Sequence, residues 1–310
     1  MKQLPILIRR EFWENKGTFL FLPAITTGVV ICLLLILLMG LFANSVQVSV
    51  DTDIETNTGT HELSIQNSSL MDLFGAQLVQ LADMPEAMRV ERLDGLFTGV
   101  SVIWFATLWV VIVFYLLGAL YDDRRDRSIL FWKSMPVSDT ITVVSKLLAG
   151  LVLAPLVYLA FIMIAHLAIA LVATIAASGQ DVSMWDTLWV PAHFIARWVG
   201  FLALYGFIIL WCLPFFGWLL LVSSWAKSAP LAWAVGVPVV LVVLESTLLG
   251  STIVGEFARE HMFSVKFFEH GRAVVNNFQL PQALEFASAL IVGMGFIALA
   301  VWRRGKADEI

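Results

Sequence analysis

Charge is scarce in this chain. Asp, Glu, Lys and Arg make up only 14% of the 310 residues, while 59% are hydrophobic and the mean hydropathy is +0.86. Soluble domains carry about 25% charged residues, so a water-soluble globule is excluded. Cysteine is scarcer still. Cys32 and Cys212 both fall inside apolar runs, where they act as small hydrophobes and not as a disulfide or a metal pair. The five histidines form no metal-ligand pattern. His61-Glu62 begins like the zinc-protease helix H-E-x-x-H, but Ile65 stands where the second His belongs. His166 and His193 have no Asp, Glu or Cys at ligand spacing, which leaves them polar packing roles. No G-x-x-x-x-G-K-S/T phosphate loop occurs, since the single Gly-Lys pair, Gly305-Lys306, is followed by Ala307. No set of catalytic residues converges, so the chain is not expected to be an enzyme or to hold a metal or cofactor. No basic footprint marks it for nucleic acid.

Long apolar runs take the place of these features. A bilayer core about 30 Å thick needs about 20 apolar residues per helical crossing. Six runs qualify: residues 19–43, 97–121, 147–176, 198–225, 231–250 and 284–302. Lys2, Arg9, Arg10 and Lys16 precede the first run, and Arg124, Arg125, Arg127, Lys133 and Lys146 lie between the second and third. Lys227 separates the fourth from the fifth, and Arg303, Arg304 and Lys306 follow the sixth. The positive-inside rule puts all these segments, and both termini, in the cytoplasm. The segment 44–96 then lies outside. It is acidic, with Arg89 and Arg92 as its basic residues. Its first half alternates, which predicts a hairpin, and its second half has a helical period. Asn67-Ser68-Ser69 matches a glycosylation acceptor, a pattern of low specificity. Pro155, Pro214 and Pro238 punctuate spans three to five, where proline permits kinks.

The expected fold is therefore an all-α polytopic membrane protein. Residues 1–18 form an amphipathic helix on the cytoplasmic face, 19–43 span one, 44–96 a small outer segment, 97–121 span two and 122–146 a cytoplasmic loop. Spans three to six occupy 147–302, with an outer re-entrant or interfacial segment at 251–283, and a short tail covers 303–310.

The loop reads DDRRDRSILFWKSMPVSDTITVVSK from Asp122 to Lys146. Phe131, Trp132 and Met135 fall on one side of a short helix that Pro136 ends, and Ser138 or Asp139 can cap the next helix. Two readings fit: an interfacial helix with its aromatics among lipid headgroups, or a docking surface for a cytoplasmic partner.

Ser134-Met135-Pro136-Val137-Ser138, with Lys146 at the mouth of span three, resembles the corresponding loop of type-2 ABC exporter permeases, the membrane subunits of ATP-binding-cassette transporters. RREFWENKG near the N-terminus is similar to that family's cytoplasmic connecting helix. The sequence departs from the pattern at Arg127, where many members carry Gly, and at Asp139, where many carry a basic residue. The resemblance implies a coupling helix that seats in a separate ATPase subunit, which binds the ATP and Mg²⁺. Phe131 and Trp132 would be its apolar anchors, helped by Met135 and Pro136, with Arg124, Arg125 and Arg127 as rim charges. It also implies pairing with a second copy or a related permease, a bacterial plasma-membrane location, and outward movement of a drug, peptide, lipid or glycan. In the family the region that here holds His261 and His270 dips into the outer face. An ABC machine that transmits force to outer partners shares this architecture. An ion-coupled secondary transporter would have Glu245 as its carrier. Glu245 otherwise reads as part of an outer gate, or as a group that satisfies backbone where span five ends.

Overall fold

The computed structural model describes residues 3–43, 47–56, 59–134, 137–178, 180–262 and 283–306, and most of them are helical. Six helical stretches are long and apolar enough to cross a membrane: Gly17–Met39, Glu86–Arg125, Asp139–Ala176, Trp185–Trp211, Pro230–Leu249 and Leu284–Gly305. They follow the order of the six apolar runs, and the protein is a multi-pass membrane protein.

The first helix, α1 (Gln3–Glu14), is amphipathic. It buries Leu7 and Glu11, one turn apart, and exposes Ile6 and Trp13. A π-helical turn, Gly17–Phe21, leads into α2 (Leu22–Ala43). Strands β1 (Gln47–Thr56) and β2 (Gly59–Ser69) pair antiparallel from Gln47↔Ser69 to Thr56↔Gly59, with a register irregularity between Val48 and Val50. Then come α3 (Leu70–Asp83), α4 (Glu86–Ala119), α5 (Tyr121–Arg125), α6 (Ser128–Ser134) and α7 (Asp139–Leu148). A π-helical turn, Ala149–Leu153, joins α7 to α8 (Ala154–Ala176). The remaining helices are α9 (Phe194–Trp211), α10 (Leu213–Trp225), α11 (Pro230–Leu244), α12 (Ile253–Met262) and α13 (Ala283–Gly305). Of the expected outer segment 251–283, α12 is described, and residues 263–282, with His270, lie outside the described residues.

Several boundaries differ from the apolar runs: the third helical stretch starts at Asp139 and not at residue 147, the fourth covers Trp185–Trp211 and not 198–225, and two further differences have a local cause. Helix α4 has 34 residues, about 51 Å at 1.5 Å per residue, against about 30 Å of hydrocarbon. It starts at Glu86, not at residue 97. Its first turns carry Arg89, Glu91, Arg92 and Asp94, which lower the hydropathy without interrupting the helix. The fourth run is bent in its middle. Pro214 has no N–H to donate, yet the Cys212 N–H still reaches the Ile208 carbonyl at 2.8 Å and the Phe216 N–H reaches Cys212 at 3.1 Å, so the chain kinks between α9 and α10 without stopping.

The chain divides into two compact units: Met1–Phe21, Ile103–Leu159 and Val199–Ile310 in the first, Leu22–Val102 and Ala160–Trp198 in the second. In the first, α10 and α13 touch backbone to backbone. A Cβ on Gly217 would lie 2.8 Å from the Gly293 carbonyl oxygen, and a Cβ on Gly293 would lie 2.7 Å from the Leu213 carbonyl carbon. Glycine at both positions is what lets these helices approach. In the second unit Leu78, Leu93, Phe97, Ala170, Leu188 and Phe194 form an apolar core. Arg89 fastens the end of α3, donating to the carbonyls of Leu81, Ala82 and Met84 at 3.2, 2.7 and 2.9 Å and to that of Asp186 at 2.9 Å. Arg197, buried in the same unit, donates to the Asp94 carboxylate at 2.5 Å and to the Ala192 carbonyl at 2.7 Å.

Candidate functional site

The loop of interest consists of α5, α6 and the start of α7. Helix α5 is closed by Asp126, whose N–H returns to the Asp122 carbonyl at 2.9 Å. Arg127 follows at φ 59°, the left-handed residue after a helix end, a conformation that glycine adopts at least cost. At the far side the Ser138 hydroxyl accepts the Ile141 N–H at 3.3 Å and caps α7. The two-turn α6 thus follows a left-handed residue and precedes a capped helix start.

Of the residues expected to dock a partner, Phe131 is 59% exposed. Trp132 contributes its backbone to α6, and Met135 and Pro136 lie outside the described residues. Arg125 is exposed and sits 3.3 Å from Asp122 and 3.1 Å from Asp126. Arg124 does not belong to a charged rim. It is 5% exposed and donates to the carbonyls of Ser223 and Ala226 at 3.0 and 2.6 Å. The end of α10 has carbonyls without helical donors, and a guanidinium satisfies two of them. The Ser223 hydroxyl in turn accepts the N–H groups of Leu120 and Tyr121 at 2.9 and 3.0 Å, where α4 breaks into α5.

Under the loop lies a cluster of buried ions. Lys146 Nζ is 3.2 Å from Glu11 Oε1 and 3.3 Å from Asp123 Oδ1. The Tyr115 hydroxyl donates to Glu11 Oε2 at 3.0 Å. Arg304, at the end of α13, pairs with Asp139 and lies 3.7 Å from Asp123 Oδ2. The side chains of Glu11, Lys146 and Arg304 are exposed by no more than 5%. Isolated charges would not tolerate such burial, but Arg10, Lys146 and Arg304 balance Glu11, Asp123 and Asp139. At the rim of the cluster, burial holds the Glu14 carboxyl above the ordinary carboxylate range, against the pull of Arg10.

Sequence reasoning used Arg10, Lys146 and Arg304 as orientation markers and gave Glu11 and Asp123 no role. One signal was available. Glu11 lies one turn after Leu7 on the apolar face of α1, where an unpaired carboxylate would be costly.

Glu245 is buried, in the π-helical turn Glu245–Leu249. Its Oε1 accepts the Ser251 hydroxyl at 2.8 Å and its Oε2 accepts the Val254 N–H at 2.9 Å. The carboxylate therefore caps the first turn of α12, which matches the backbone-satisfying alternative. At the other end of α12, His261 Nδ1 donates to the Trp211 carbonyl at 3.0 Å, and burial lowers its pKa below the ordinary histidine value. His166 accepts the Trp198 indole N–H on Nδ1 at 3.2 Å. Its proton therefore belongs on Nε2, which faces Ser101 Oγ at 2.9 Å and the Phe97 carbonyl at 3.1 Å. A histidine that donates to the serine cannot take the serine's proton, so this pair packs and does not catalyse. His193 has φ 44° and its carbonyl accepts the Arg197 N–H at 3.0 Å near the start of α9. Among the described residues no group of three His, Cys, Asp or Glu is placed to hold a metal.

No family model, curated protein or solved structure matches the chain.

Proposed function

We propose that this protein is the membrane-spanning permease subunit of an ATP-binding-cassette exporter. The observation that carries the reading is α6: a two-turn helix with Phe131 outward, slung between the second and third spans, whose roots sit on a buried ion cluster that also holds the amphipathic α1. The left-handed Arg127 at a position of family glycine supports it. In this reading α6 is the coupling helix, Phe131 and Trp132 enter a groove of a separate ATPase subunit, and Arg125 and Arg127 lie at the rim. The ATPase subunit binds ATP and Mg²⁺. Positive-inside charge puts α1, α6 and the end of α13 in the cytoplasm. Two copies, or one copy and a related permease, alternate access for a hydrophobic or amphipathic substrate.

A second reading, force transmission to outer partners, draws support from α4, one unbroken helix from the outer segment to the loop.

The test is copurification from native membranes. Replacing Phe131 and Trp132 by Ala should leave the chain inserted and folded but release the ATPase, at about 2 kcal/mol or more per lost hot-spot residue. Unchanged copurification would remove α6 as the docking element. Absence of any copurifying ATPase from the unaltered protein would remove the permease reading.

A further inference from the structure

We propose that α6 delivers its motion to the α10–α13 helix pair as well as to the two spans between which it is threaded. The permease reading supplies what pushes α6. The linkage itself is a property of this chain.

The loop runs into spans two and three through helix, Glu86–Arg125 before it and Asp139–Ala176 after it, with local irregularities. The α4 helix breaks at Leu120, whose N–H and that of Tyr121 turn to the Ser223 hydroxyl. The left-handed Arg127 interrupts the chain again before α6. On the other side, a π-helical turn at Ala149–Leu153 joins α7 to α8 within one helical stretch. Noncovalent ties add a path to α10 and α13. Arg124 makes two hydrogen bonds to the end of α10, and Ser223 of α10 accepts two from the α4–α5 break, so four bonds join the loop's first root to α10. The loop's second root, Asp139, pairs with Arg304 of α13, and Arg304 also lies 3.7 Å from Asp123 of the first root.

Lys146 closes this ring, holding Asp123 and Glu11 together, so α1 and both roots of the loop move as one body. Apart from Asp139, whose side chain is 33% exposed, these charges are nearly or fully buried, where an ion pair is little screened by water. The two driven helices touch each other through Gly217 and Gly293. A displacement applied at α6 thus arrives at α10 and α13 together and moves them as a pair. Arg124, Asp139 and Arg304 are positioning residues in this scheme.

The experiment compares the unaltered protein with the double variant Arg124→Gln/Arg304→Gln, each copurified with its ATPase and carrying one reporter. Leu284→Cys, 82% exposed at the far end of α13, reports on the driven pair, and Met88→Cys, 53% exposed near the start of α4, reports on span two. The readout is the rate of labelling by a membrane-impermeant maleimide, with and without nucleotide trapped by vanadate. Trapping should change labelling at Leu284→Cys several-fold in the unaltered protein. The change should vanish in the double variant while the ATPase still copurifies, and Arg124→Lys/Arg304→Lys should restore part of it. Persistence of the change in the double variant, or a response confined to Met88→Cys, overturns the proposal.

Should no ATPase copurify, the permease reading fails, and the linkage is decided on the chain alone by hydrogen exchange. Arg304→Gln by itself should then speed exchange in α6 and at residues 223–226 as well as in α13. Faster exchange limited to the last turn of α13 refutes the linkage.

Discussion

Lys146→Met is the sharpest probe of the buried ion cluster. Methionine keeps the length and most of the volume of the lysine stem and deletes only the charge. Each attraction of Nζ, to Glu11 at 3.2 Å and to Asp123 at 3.3 Å, is roughly 5 kcal/mol gross at an effective dielectric of about 20. Most of that offsets the cost of removing the ions from water. What the variant leaves is worse than a missing pair, because two carboxylates then face each other without their shared cation. Breaking a buried ion pair by removing one partner costs about 3–5 kcal/mol. For chains of a few hundred residues each kcal/mol shifts the melting temperature by about 2–4 °C, so the midpoint should fall by roughly 6–20 °C. Detergent-solubilised protein, heated and then analysed by fluorescence size exclusion, measures this. Lys146→Arg keeps the charge and should recover more than half of the loss. A midpoint for Lys146→Met within 2 °C of the unaltered protein would refute the claim that the cluster holds α1 and the loop together.

Four further outcomes are expected. Thr140→Cys should react with an impermeant reagent only from the cytoplasm and Ser178→Cys only from outside; the reverse pattern inverts the topology. Arg127→Gly should leave stability unchanged or raise it, because φ 59° suits glycine, whereas the β-branched Arg127→Val should lower the melting midpoint; equal midpoints for Gly and Val would contradict the left-handed assignment. Glu245→Leu should speed hydrogen exchange at residues 253–255 and reduce the yield of folded protein, with Glu245→Gln milder; normal yield with lost transport would make Glu245 a gate instead of a cap. His261 is neutral in the fold with a lowered pKa, so its contribution is intact above the unfolded histidine value of about 6.5 and declines as pH falls through it; the drop in melting midpoint between pH 7.5 and pH 5.5 should shrink in His261→Gln.

The six crossings were legible because each needs one long apolar run, a local property of the chain. Their ends were less so. The start of α4 hides behind Arg89, Glu91, Arg92 and Asp94, charges that a helix tolerates once it has left the hydrocarbon. The kink at Cys212 leaves hydropathy unchanged, and Pro214 alone could not separate a bend from a straight span. Local turn chemistry read well at Ser138, which caps α7 as its residue type suggests. The ion cluster was illegible for a different reason. Glu11, the loop residues Asp123 and Lys146, and Arg304 come from three distant parts of the chain, and each by itself looks like an ordinary charge beside a membrane helix. Arg124 misled for a related reason: within an alternating run of Arg and Asp nothing local distinguishes the one guanidinium that turns toward α10 from its exposed neighbours.

The span from Glu11 to Arg304 also sets an order of events during synthesis. Nearly three hundred residues separate the two, and at about 5–20 residues per second the ribosome needs roughly 15–60 s to go from one to the other. Glu11 meets its own partners earlier, because Arg10, Tyr115 and Lys146 are all made before the chain is half complete. The cluster closes only when the final turn of α13 emerges. The first helix can therefore dock before the last span is made, and a chain released before Arg304 leaves Asp139 without its cation.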